Sequence, residues 1–262
     1  MKAKEIINLM NQWALPDLID SWDNTGFQIG NDEKEVRKIL IALDLDSKVL
    51  EKAIDENYQM IITHHPLIFK PVKSITTLDP KGNLIYNIIK NEIVIYNAHT
   101  NLDQAKGGVN DELARLLELK NTETLYQTSI NETETYGYGK IGEIEEINLM
   151  DYVKFIKEKL DIDYLTIYGN SDRKINRVSV CGGSGSDFIY NAYEEGACIY
   201  ITGDIKYHDA QLADELGITL IDAGHYHTEK VILPVIKEYL IKSNNKIHID
   251  VWNKPSPSYM IC

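Results

Sequence analysis

Histidines and carboxylates gather at the ends of apolar runs in this chain. Thr63-His64-His65-Pro66 closes the run Gln59-Met60-Ile61-Ile62, which reads as a buried strand because Ile61 and Ile62 are apolar and β-branched. Neighbours on a strand point to opposite faces, so two adjacent imidazoles serve one site only where the strand has ended and the backbone turns. Pro66 supplies that turn by restricting His65 and withholding its own N–H. The dipeptide alone fits either two metal ligands or two polar loop residues. Ala98-His99-Thr100-Asn101-Leu102-Asp103 follows a second run, where a turn or helix cap is the plain alternative for Asp103. Gly203-Asp204-Ile205-Lys206-Tyr207-His208 and Gly224-His225-Tyr226-His227-Thr228-Glu229 follow two more.

Six of the seven histidines lie in these loops, namely His64, His65, His99, His208, His225 and His227; His248 alone falls within a strand pattern. With Asp103 and Glu229 they suit a convergent site of nitrogen and oxygen ligands. His225 and Glu229 are spaced i, i+4 and share a face once a helical turn has begun. Such donors suit zinc, iron, manganese, cobalt or nickel and need no thiolate. This many donors exceeds one tetrahedral zinc site, so two divalent metal ions sharing a carboxylate is the natural reading.

The elements that position these residues alternate. Ile6, Ile7, Met10 and Trp13 predict a helix over 4–14. Residues 21–30, Ser-Trp-Asp-Asn-Thr-Gly-Phe-Gln-Ile-Gly, predict turns in a loop anchored by Trp22 and Phe27. A strand over 38–44, a helix over 47–57 with Ser47 as its cap, and the strand before His64 form a β-α-β unit and predict a parallel pair. A helix over 82–91, a strand over 92–97 and a helix over 109–119 repeat the logic. Residues 121–136 turn polar and acidic, which places a domain crossing there. Further strands fall at 136–144, 164–168, 175–181, 197–202, 219–223 and 246–252. Helices are expected at 149–160, from 203 to 216, and from 224 to 241, with Pro234 early in the last. Gly182-Gly183-Ser184-Gly185 reads as a tight turn; the alternative is a phosphate cradle, although the Lys-Ser/Thr of a P-loop is absent. The expected fold is α/β: two interlinked α/β/α-type layers with mostly parallel or mixed sheets and the metal site in the crevice between them. Residues 1–124 plus 222–262 form the first domain, which carries most metal ligands, and 125–221 the second, with no inserted extra domain.

Composition narrows the function. The chain has 262 residues, 44% hydrophobic and 26% charged, as expected of a globular protein. Its net charge of −13 argues against a nucleic-acid or anionic-membrane surface. No apolar run approaches the ~20 residues of a membrane span. The first residues lead into an amphipathic helix and not a signal peptide. Cys181, Cys198 and Cys262 are odd in number and lack metal spacing, which suggests a reducing cytoplasm and free thiols, two of them buried.

The motifs at 63–66, 98–103 (with Gly-Gly-Val-Asn-Asp after it), 203–208 and 224–229, with Trp-Asp-Asn-Thr-Gly-Phe-Gln at 22–28, occur in an order that resembles the GTP cyclohydrolase 1 type 2 homologue family, also called the Ngg-one-interacting-factor-three-like family. The resemblance covers essentially the full length. It implies a dinuclear centre held by His64, His65, Asp103, His225 and Glu229. Glu229 would bridge, with His64 and Asp103 on one metal and His65 and His225 on the other. It implies a toroidal homohexamer with sites facing an internal cavity. Many relatives carry a histidine followed by a small residue where this chain has Tyr226-His227.

The chemistry expected of such a centre is metal-assisted hydrolysis of a small-molecule or nucleotide substrate, and the family name suggests opening of the GTP imidazole ring. His99, His208 and His227 are candidate acid/base or outer ligand-orienting groups. Asp204 is a candidate histidine partner, Lys206 a candidate contact for an anionic substrate, and Asn101 a candidate for either role. Ordinary loop hydrogen bonding is the alternative for each. Two other classes stand beside the hydrolase: a metal-storage or delivery protein, and an oligomeric scaffold with structural metals.

Overall fold

The computed structural model describes residues 1–130 and 134–255. Asn131 to Thr133 of the acidic run, and Cys262, lie outside them. The described residues form two compact units: residues 1–102 together with 233–255, and residues between 103 and 232. The first unit begins with α1 (Ala3–Trp13), β1 (Gly26–Ile29), β2 (Lys38–Ala42), α2 (Ser47–Asp55), β3 (Met60–Thr63), α3 (Pro80–Lys90) and β4 (Val94–Asn97). The short helix α4 (Thr100–Gln104) leads into the second unit. That unit contains α5 (Val109–Leu116), β5 (Lys120–Ile130), β6 (Thr135–Asn148), α6 (Leu149–Leu160), β7 (Thr166–Tyr168), β8 (Lys174–Val180) and α7 (Ile189–Glu194). It continues through β9 (Ile199–Thr202), α8 (Tyr207–Leu216), β10 (Thr219–Asp222) and α9 (His225–Glu229). The chain then returns through α10 (Ile232–Ser243) to β11 (His248–Trp252).

The first sheet has the order β1-β4-β3-β2-β11. Strands β4, β3, β2 and β11 run parallel, and β1 closes one edge antiparallel to β4. Strands β3 and β4 are buried at every position, as central parallel strands covered on both faces should be. Leu40, Ile61 and Ile95 pack with Val49 and Leu50 of α2 and Ile85 and Ile88 of α3. Tyr96 points the other way, and its hydroxyl donates to Asn11 of α1 at 2.8 Å. Tyr239 of α10 donates to the Leu9 carbonyl at 2.9 Å, tying α10 to α1. Helix α2 is capped by Asp46, not by the expected Ser47: the Asp46 carboxylate accepts from Val49 N–H at 2.9 Å, and Ser47 is already the first helical residue. Strand β1 replaces part of the loop expected over 21–30.

The second sheet has the order β5-β6-β8-β9-β10-β7. Its centre, β8-β9-β10, is parallel; the outer pairings are antiparallel. Val178, Val180, Ile199 and Ile201 face Leu149, Val153 and Ile156 of α6. Tyr200 and Leu220 face the opposite layer, with Ile189 and Ala192 of α7 and Ala213 of α8. The mixed α/β architecture is as expected, but the unit boundaries are not those of the sequence reading. The polar stretch read as a crossing is edge strand β5, paired with β6 from Lys120 opposite Glu143 onward. Its composition reflects an edge strand that buries Leu125 and turns most neighbours to water. Strand β5 and helix α9 therefore belong to the second unit, and so do Asp103, His225 and Glu229. Among the described residues, no helix is long and apolar enough to cross a membrane.

Candidate metal centre

In the first unit three parallel strands deliver the donors. Strands β2, β3 and β4 stand in register, with Ala42 opposite Thr63 and Thr63 opposite Asn97, so the residues that follow them share one edge of the sheet. This carboxyl edge is where open α/β sheets bind ligands. The ladder continues one step further, through His64 N–H to the Ala42 carbonyl at 3.3 Å and His65 N–H to the Leu43 carbonyl at 3.0 Å. Thr63 Oγ1 donates to the His65 carbonyl at 2.8 Å and stabilises the turn. One ring nitrogen each of His64, His65 and His99 falls within 4.8 Å of the others. The turn at Pro66 lets neighbouring residues reach one place.

Each of these rings is oriented through Nδ1. His64 Nδ1 lies 2.8 Å from the Ala98 carbonyl, His65 Nδ1 2.8 Å from Asp44 Oδ1, and His99 Nδ1 3.0 Å from Asp23 Oδ1. A carbonyl can only accept, and an ionised carboxylate likewise, so these partners put the proton on Nδ1 and the lone pair on Nε2. Asp23 is itself held by Thr25 Oγ1 at 2.6 Å and Thr100 Oγ1 at 2.7 Å. Burial opposes its ionisation, yet the hydrogen bonds from His99, Thr25 and Thr100 win and hold the carboxyl well below its ordinary range. That depressed value means the stabilisation is complete above an unfolded pKa of about 3.9 and is lost as pH falls towards the folded value. The difference in urea midpoint between the native chain and Asp23→Asn is therefore expected to be largest at neutral pH and to shrink below about pH 3.9. An undiminished difference in acid would contradict this assignment.

In the second unit β9 and β10 run parallel with Thr202 opposite Asp222, and deliver Asp204 and His225 from adjacent strand ends. Asp204 adopts a left-handed φ of 57°. His225 Nδ1 lies 2.7 Å from Asp204 Oδ2, and His225 Nε2 lies 3.0 Å from Glu229 Oε2 one helical turn on. Glu229 is 3% exposed, and a carboxylate oxygen of Asp103 lies within 4.8 Å of one of its own. Two carboxylates this close repel unless a cation or proton sits with them, and buried charges are paired or coordinate metals. The donor set of nitrogen and oxygen atoms thus fits a divalent metal.

The glycine turn after β8 serves this carboxylate. Gly183 has φ +69°, and a Cβ there would lie 2.2 Å from Glu229 Oε1. The backbone N–H groups of Gly182, Gly183 and Gly185 donate to Asn110 Oδ1, Thr228 Oγ1 and Thr202 Oγ1 at 2.9, 3.0 and 2.9 Å. They are spent on side chains of the protein, so the turn is a packing device and not a phosphate cradle. Cys181 beside it is buried; burial, then the Asp103 and Glu229 carboxylates, push its thiol up.

The remaining candidates lie apart. His227 turns away, with Nδ1 3.4 Å from the Leu160 carbonyl, and burial followed by Lys230 pushes its imidazole down. His208 is exposed on the first turn of α8, with Nδ1 3.5 Å from Gln211 Oε1. Among the described residues neither His208 nor His227 joins a group of three donors. Lys206 is exposed and caps α8, its N–H donating to Asp209 Oδ2 at 2.9 Å. Asn101 is fully buried, and its Nδ2 donates to the Ala14 carbonyl at 2.8 Å, which ties α4 to the end of α1. Sequence reasoning missed Asp44 and Asp23 as histidine partners. The signal available for Asp44 was its place at a strand end, and for Asp23 its place within the Trp-Asp-Asn-Thr-Gly-Phe-Gln run.

Oriented imidazoles and a close carboxylate pair beside the carboxyl edges of parallel strands are candidate metal-binding groups in a mixed α/β protein. Residues 1–257 match the Duf34/NIF3 (NGG1p interacting factor 3) family, and the chain belongs to it. The protein named GTP cyclohydrolase 1 type 2 homolog from Clostridium perfringens is 36% identical over 239 residues, which cover 91% of this chain and 90% of the relative. The protein of the same name from Methanocaldococcus jannaschii is 35% identical over 242 residues, covering 92% and 95%. The crystal structure of a Bacillus cereus protein related to NIF3 superposes with a TM-score of 0.94 at 30% identity, covering 100% of this chain and 99% of that one. Reduced HcgD from Methanocaldococcus jannaschii superposes with a TM-score of 0.83 at 34% identity, covering 96% and 97%.

Proposed function

We propose that this chain is a dinuclear metal-dependent hydrolase-like protein in which His64, His65, Asp103, His225 and Glu229 hold two divalent metal ions. The observation that carries the reading is the orientation of the imidazoles. His64, His65 and His225 each direct Nδ1 to a carbonyl or carboxylate at 2.7–2.8 Å, which leaves Nε2 as the ligating atom. Divalent ions held there would supply a lowered water pKa and polarisation of a carbonyl or phosphoryl oxygen. The protein's own part is to fix the tautomers through Ala98, Asp44 and Asp204, and to keep Glu229 out of water. His99, fixed through Asp23, stands next to His64 and His65 as the acid/base candidate. A nucleotide is the substrate class that the relatives' name brings to this chain, and a toroidal homohexamer is the assembly that the family resemblance brings.

Removing the orienting carboxylate beside His65 isolates this claim. Asp44→Ala is expected to weaken metal binding by about 10- to 100-fold with the circular dichroism spectrum unchanged. Unchanged affinity would mean that His65 is not a ligand. The function itself is tested by restoring zinc, iron, manganese, cobalt and nickel in turn to metal-free protein and following GTP and a generic phosphodiester for hydrolysis. Metal-dependent turnover supports the hydrolase. Full metal loading with no turnover of any substrate would move the reading to storage, delivery or a structural metal.

A further inference from the structure

The Trp-Asp-Asn-Thr-Gly-Phe-Gln run holds more than a partner for His99. Trp22 is 59% exposed and Phe69 41% exposed, yet the two rings meet edge to face at a centroid distance of 6.0 Å. Both also meet the His99 ring edge to face, at 6.1 Å and 6.5 Å. Their water-facing surfaces therefore border the His64, His65 and His99 group.

These aromatics are held in place by a clamp. Gln28 Oε1 accepts from Ile68 N–H at 2.9 Å, and Gln28 Nε2 donates to the Ile68 carbonyl at 3.2 Å and the Asn24 carbonyl at 2.8 Å. Asn24 Nδ2 donates to the same Ile68 carbonyl. Asp23, next to Trp22, is fixed by Thr25 and Thr100. Strand β1 and the turn before it are thus tied to the loop of Phe69, immediately beside each exposed ring. Isolated exposed apolar side chains need no explanation. A pair held out of the core by the Asn24 and Gln28 side chains on the Ile68 backbone, at the rim of a donor group, is a preorganised surface. Aromatic faces bind planar rings by stacking whatever the identity of the ring.

We propose that Trp22 and Phe69 form the platform on which the planar heteroaromatic ring of the substrate stacks, setting its distance from His99. This rests on the hydrolase reading for the word substrate, but its test does not depend on turnover. Metal-loaded protein is titrated with GTP, ATP and inorganic tripolyphosphate by calorimetry, alongside Trp22→Leu, Trp22→Phe and Phe69→Leu, with metal content measured for every sample. The two nucleotides are expected to bind more tightly than tripolyphosphate. Trp22→Leu and Phe69→Leu are each expected to weaken nucleotide binding by about 5- to 150-fold, leaving tripolyphosphate affinity and metal content unchanged. Trp22→Phe should retain most of the affinity. Nucleotide binding no tighter than tripolyphosphate, or equal nucleotide affinity in the Leu variants, would overturn the proposal. So would a change of oligomeric mass in the Leu variants without a change of affinity, which would mark the patch as a contact between copies. Stacking without any hydrolysis would instead count against the hydrolase reading alone.

Discussion

Glu229→Gln is expected to strip the chain of metal while leaving it folded. Glutamine keeps the volume of the side chain and a hydrogen-bonding oxygen for its surroundings, but it removes the negative charge. Glu229 is 3% exposed, approaches His225 Nε2 at 3.0 Å and comes within 4.8 Å of an Asp103 carboxylate oxygen. Losing a ligand should cost more than the roughly 10- to 100-fold that loss of an orienting partner costs. The thermodynamic signature has two parts. Without metal, the variant should be no less stable than the native chain, because removing one of two close carboxylates relieves repulsion. With metal at about 100 times its dissociation constant, the native chain should gain roughly 2.7 kcal/mol that the variant lacks. Asp103→Asn should behave alike. Metal content unchanged in both variants would refute the ligand assignment.

Gly183→Ala and Gly203→Ala are the second pair of large expected effects, and they separate two kinds of damage. At Gly183 the φ of +69° alone costs an alanine about 1–2 kcal/mol. The added Cβ would sit 2.2 Å from Glu229 Oε1, so that carboxylate must move, while His225 Nε2 at 3.4 Å would be in ordinary contact. At Gly203 the Cβ would sit 2.5 Å from the backbone nitrogen of His225 and 2.8 Å from the Gly224 carbonyl carbon. There the start of α9 itself must shift, since backbone cannot swing aside as a side-chain end can. Both variants should lose metal, and Gly203→Ala should lose the more thermal stability. Thermal melts of the metal-free proteins, with metal titrations on the same samples, check both. Native-like metal affinity in Gly183→Ala would show that Glu229 is not held against that turn.

The placement of the candidate donors was legible in the sequence because chemistry and punctuation coincide. His64, His65 and His225 follow β-branched runs and precede a proline or a helical turn, so their place at strand ends could be read directly. The spacing of His225 and Glu229 gave their shared helical face. What orients them was not legible. Asp44, Asp23 and the Ala98 carbonyl reach their histidines through strand register and a loop contact, and neither leaves a local pattern. The same limit misplaced the unit boundary. Acidic, apolar-poor residues mark a linker and an edge strand equally well, and only the pairing of β5 with β6 decides between them. The glycines after β8 read as a turn, but their reason is the bulk of Glu229, which is 46 residues distant from Gly183 in sequence and adjacent in space.

The proposed centre has five named side chains holding two metals. Anomalous diffraction at the edge of the loaded metal tests it most directly, on crystals of the protein reconstituted with zinc. Two anomalous peaks per chain are predicted, with Nε2 of His64, His65 and His225 and carboxylate oxygens of Asp103 and Glu229 about 2.0–2.2 Å from them. The absence of peaks at these side chains in fully zinc-loaded crystals, or peaks only elsewhere on the protein, would contradict the account.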